Sequence, residues 1–164
     1  MEPLSSFTLS ALLLTLSVIM IILLTSEEGN GFMIQGRLSP NKLAACADLA
    51  HPILIRVAKE KGRIFYKDLL AEMKGKPGMP YIGQVLNRIV ELELEAHNLK
   101  LTAVVVRVDT EEVGGGFFGL SGTPGNLKRT SPEELKNPRL SADDRNYWHK
   151  QLARVHQECQ SLYP

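Results

Sequence analysis

The stretch Leu101-Thr-Ala-Val-Val-Val-Arg-Val108 sets the reading of the fold. Five of these eight residues are β-branched, which predicts a strand. Downstream, residues 109–116 predict a glycine-rich turn, and Phe117-Phe118 the start of a returning strand. Upstream, Ile82, Val85, Leu86, Ile89, Leu92 and Leu94 give one apolar side to a long helix over residues 79–98. Before it come a Gly75-Lys-Pro-Gly78 turn, a brief helix over residues 67–73 and a short β-prone segment at 63–66. A first helix is predicted over residues 42–61. It is entered through Ser39-Pro40, broken or kinked at Pro52 and ended at Gly62.

This order predicts an α+β domain over residues 40–120. It resembles a winged helix-turn-helix, most visibly in Phe65-Tyr-Lys-Asp-Leu-Leu-Ala71, which looks like the start of that fold's second helix. It also looks like the winged-helix part of alkylguanine-DNA alkyltransferases, which run from a Tyr-x-x-Leu-Ala helix into an apolar strand. Thr102-Ala-Val-Val105 stands where that family carries Pro-Cys-His-Arg. With no cysteine there, the resemblance implies a DNA-binding fold without the repair activity.

Residues 121–164 are expected to form an irregular loop and a C-terminal helical extension. Ser131-Pro-Glu-Glu134 and Ser141-Ala-Asp-Asp144 both read as helix caps with acids in the first turn. Trp148, Leu152, Val155 and Cys159 make one stripe on the last helix. The stripe packs on the domain or docks a protein partner, in which case Trp148, Leu152 and Val155 are the partner-binding residues.

The N-terminal end reads differently. After a tail at residues 1–6, residues 7–25 (Phe7 to Thr25) carry no charge. Nineteen residues at ~1.5 Å each span roughly 28 Å, close to the hydrocarbon thickness of a bilayer. A single transmembrane helix is therefore expected, inserted in membrane lipid, with residues 26–39 as a tether. A cleaved signal peptide fits less well, because Met1-Glu2-Pro3 lacks a basic start and Leu24-Thr-Ser-Glu-Glu28 lacks a small-residue cleavage site. A start at Met33 is the other alternative. Arg37 and Lys42 follow the span and nothing basic precedes it, which places the C-terminal domain on the cytoplasmic side of the cell membrane.

The net charge of +1 excludes a uniformly basic nucleic-acid binder. Residues 37–78 are nevertheless basic, and the third helix begins with groups that read DNA. Tyr81, Gln84, Asn87 and Arg88, preceded by Lys74 and Lys76, are the candidate contacts to duplex DNA. Glu91, Glu93 and Glu95 on the same helix, and Asp109, Glu111 and Glu112 in the turn, oppose that reading. Gly114-Gly-Gly116 lacks the phosphate-loop pattern. His156 and Cys159 supply at most two metal ligands from one helix, and no nucleophile elbow is present. The sequence thus points to no enzyme, metal or cofactor. It points to a membrane-tethered DNA-binding or regulatory protein, in a bacterial setting. A membrane-anchored protein-interaction module, within a complex or a defence or immunity system, is the alternative.

Overall fold

The computed structural model describes residues 36–137 and 139–164. The expected span at residues 7–25, the tail before it, the tether up to residue 35 and the alternative start at Met33 lie outside the described residues. Among the described residues no helix is long and apolar enough to cross a membrane.

Helix dominates: α1 (Pro40–Lys59), α2 (Tyr66–Glu72), α3 (Ile82–His97), α4 (Pro132–Lys136) and α5 (Ala142–Leu162). Single 3-10 turns cover Met79–Tyr81, Leu101–Val104 and Gly115–Gly119. Two strands of two residues each, β1 (Ile64–Phe65) and β2 (Val105–Val106), pair in parallel, with Ile64 opposite Val105 and Phe65 opposite Val106.

The expected α+β winged-helix domain is therefore corrected to a mostly helical fold with a minimal parallel pair. The run from Leu101 to Val108 is a 3-10 turn followed by only two strand residues. All six residues from Leu101 to Val106 are buried, so neither side of the segment meets water. A short apolar run bounded by turns does not distinguish a strand from another buried conformation. Here the Trp148 Nε1–H donates to the Ala103 carbonyl at 2.9 Å, taking a backbone group that a ladder would have used. Phe117 and Phe118 are both buried, edge to face, with centroids 5.3 Å apart. The pair lies in a 3-10 turn, not in the expected returning strand.

α1 starts at Pro40 as expected, and Pro52 does not break it. Pro52 and Asp48 are both exposed, so the carbonyl that loses its helical partner remains open to water. The helix ends at Lys59, three residues before Gly62. Lys61 adopts the left-handed conformation (φ 53°), and its N–H and that of Gly62 return to Ala58 and Val57. This is the double bond pattern of a Schellman end. α4 and α5 open at the N-caps expected at Ser131 and Ser141, and each proves to be a capping box, closed reciprocally by Glu134 or Asp144.

α1 packs against α3 and α5, while α5 also lies on the Leu101–Val104 turn. Trp148 is 2% exposed and Val155 and Cys159 are fully buried, with Leu152 half-buried against the same core. The stripe is core, so Trp148, Leu152 and Val155 do not form a docking face.

Candidate functional site

The six residues expected to read DNA divide into three groups. Lys74 and Lys76 are exposed on the turn that leads into Met79. Gln84 is spent internally: its Nε2 donates to the Gly36 carbonyl at 2.6 Å, and its Oε1 accepts from the Leu38 N–H at 3.0 Å. Tyr81 is half-buried, with its ring against Gly36. Asn87 donates to Glu91 at 2.8 Å, and Arg88 pairs with the same carboxylate at 3.4 Å. The start of α3 thus clamps residues 36–38 rather than presenting a reading face.

The acids that opposed a nucleic-acid role are also placed differently. Glu93 is 3% exposed and faces inward, accepting from Tyr163 at 2.6 Å with His51 Nε2 2.5 Å away. Burial pushes its carboxyl up, and bonds from His51 and Tyr163 outweigh that, leaving it below its usual value. Asp109, Glu111 and Glu112 are each paired with an arginine, Arg107, Arg63 and Arg145 respectively. The acidic loop is therefore largely neutralised.

Beside that loop lies a groove of about 810 Å³ with Phe65, Tyr66, Met79 and Val108 among its apolar walls. Met79 and Val108 are 51% and 59% exposed, high for residues of their kind. Lys67, Arg107 and Lys136 stand at its edge. None of the ion pairs among the described residues uses Lys67, Lys136, Lys74 or Lys76.

Tyr66 and Leu135 also wall a second cavity of about 240 Å³, closed further by Leu86, Phe117 and Leu120. Thr102 reaches this cavity. Its hydroxyl is buried, the residue is 2% exposed, and Oγ1 has no hydrogen-bond partner. An unsatisfied buried hydroxyl costs about 1–3 kcal/mol, and this one is closed off behind the cavity wall. The volume holds about eight waters, or one ring system. Burial pushes the Tyr66 phenol up, so it stays protonated between the two cavities, against Arg107 and the Gly114 backbone.

Two kinds of glycine shape the site. A Cβ on Gly115 would lie 2.6 Å from the Leu135 carbonyl oxygen and 2.7 Å from that of Asn137, so only glycine lets the α4 region dock here. A Cβ on Gly83 or Gly116 would meet nothing within 4 Å, and both line the small cavity. The sequence marked Gly114–Gly116 as a turn and missed the pocket. The Leu-Thr-Ala-Val run hid Thr102 inside an expected strand.

No family model, curated protein or solved structure matches this chain.

Proposed function

We propose that this is a membrane-tethered DNA-binding protein that grips the nucleic-acid backbone at the cationic groove edge and receives an unpaired base in the adjoining pocket. The observation that carries the reading is an aromatic-walled cavity that adjoins a lysine-edged groove. Aromatic side chains stack on any base, and an extruded base is read by hydrogen bonds to its edge. Tyr66 and Phe117 supply rings, and Lys67 and Lys136 supply phosphate contacts outside. In sequence, Thr102-Ala-Val-Val105 is the segment comparable to the reactive motif of alkylguanine-DNA alkyltransferases. Ala103 offers no nucleophile there, and Cys46 and Cys159 are both buried elsewhere. Burial raises the Cys159 thiol to about 11. The function is accordingly binding without bond-making, restricted by residues 7–25 to DNA near the cytoplasmic face of the membrane.

The test uses the full chain in detergent and two duplexes, one fully paired and one with a single unpaired base. Tighter binding of the second duplex, weakening with salt, is expected. Gly83→Phe should fill the small cavity from α3, abolish the preference and leave the salt-dependent binding. No binding of either duplex at low salt removes the proposal. Exposed Met79 and Val108 in the same groove favour a second reading, an apolar peptide of a partner protein. It predicts that Val108→Glu disrupts a complex while DNA affinity is zero throughout.

A further inference from the structure

Lys100 has an environment that neither the fold nor the pocket requires. It is 1% exposed, and its Nζ donates to Thr123 Oγ1 at 2.5 Å. The ammonium lies 4.5 Å from the Phe117 ring centroid and 5.4 Å from that of Tyr147. No carboxylate pairs with it among the described residues: Asp144 at the start of α5 is engaged by Arg129, and Glu112 by Arg145. The titratable groups that face it are Lys128, which repels it, and the Tyr147 phenol, whose hydroxyl donates to the Gly122 carbonyl at 3.0 Å. Phe117 lines the small cavity and Lys100 does not, so the ring stands between the buried charge and the pocket.

We propose that Lys100 is the electrostatic determinant of this pocket, its ammonium drawing density from the Phe117 ring so that the pocket selects an electron-rich ring. A cation held over one part of an aromatic system is attracted to its quadrupole, and the attraction is stronger where water is excluded. The polarised ring then stacks best on a partner that donates density. Thr123 orients the amine, and its own hydroxyl donates to the Leu120 carbonyl at 2.9 Å, fixing the arrangement from the pocket wall. Burial, followed by Lys128, brings the amine down to about 8, so the charge behind Phe117 changes within an accessible pH range.

The inference rests on the reading of the cavity as a base site, and the experiment separates the two. The probe is a duplex with one unpaired 2-aminopurine, whose fluorescence falls when the base stacks on a protein ring. Binding by the full chain in detergent is measured from pH 6.5 to 9, alongside Lys100→Arg and Lys100→Met. The wild-type chain should lose roughly fivefold in affinity across that range, the equivalent of ~1 kcal/mol. Lys100→Arg should bind equally at both ends, because its charge persists, and Lys100→Met should bind weakly at both. Circular dichroism confirms that each variant is folded, and the arginine variant carries the test if the methionine variant is not. Equal pH profiles for wild type and Lys100→Arg overturn the role of Lys100 while leaving the base site standing. Absence of quenching by the wild-type chain at every pH overturns both.

Discussion

Lys100 and Glu93 are both buried charges, and the surroundings move them in different ways. Lys100 keeps one hydrogen bond and two aromatic faces, and burial lowers its amine to about 8. An unfolded lysine titrates near ~10.4. Between those values the unfolded chain binds more protons than the native one, so stability rises with pH across that window. Below it both states are protonated and the cost of the buried charge is constant. Between pH 7.5 and 10 the urea midpoint of the wild-type chain should rise relative to that of Lys100→Met, whose own midpoint falls as the unfolded Cys159 thiol ionises ahead of the folded one. A difference between the two chains that does not change with pH would contradict the buried charge. Glu93 has the opposite sign. Its carboxyl sits below the usual value, so its stabilisation is present above about pH 4.3 and fades as pH falls through its folded value. Neither residue stood out in the sequence, because burial of a charge depends on what packs over it.

At the scale of elements, the decisive contact is between α5 and the Leu101–Val104 turn. Trp148 fills the space between them and satisfies the Ala103 carbonyl. Trp148→Ala should cost about 3–5 kcal/mol, through the cavity and the carbonyl left unpaired. Denaturation followed by circular dichroism measures this, and a loss below about 1 kcal/mol would return the stripe to a surface role. The caps at Ser131 and Ser141 were legible because they are local: each serine side chain satisfies an N–H three residues on. The start of α1 was legible from Pro40 at its first position, where Ser39 makes no side-chain cap bond. The strand expected over residues 101–108 was not legible as a turn. β-branched residues suit any buried, tightly packed segment, and the partner that fixed its conformation lies 45 residues away.

For the whole molecule, the charge pattern reverses its sequence reading. The acids at 109–112 look like a repulsive rim in the chain but are held by arginines from separate parts of the chain. The lysines at 67 and 136 come from opposite ends of the domain to one groove. The proposed tether at residues 7–25 belongs to the same scale. Full-length protein in cells should sediment with membranes and resist carbonate extraction, and removal of residues 1–30 should release it. Full-length protein in the soluble fraction would eliminate the membrane restriction while leaving the groove unaffected.

The sequence by itself determined the start of α1, the two helix caps, the buried positions Ile82, Val85, Leu86 and Ile89 of α3 (Leu92, expected with them, is exposed) and the uncharged run at residues 7–25. Those features depend on neighbours along the chain, on periodicity and on lack of charge. Only the tertiary structure decided that Leu101–Val106 is a buried turn and short strand, that Gln84 clamps residues 36–38, and that Thr102 is left without a partner beside Tyr66. Each of these depends on groups brought together across the fold, and hydrogen-bond satisfaction between distant residues leaves no periodic trace in the chain.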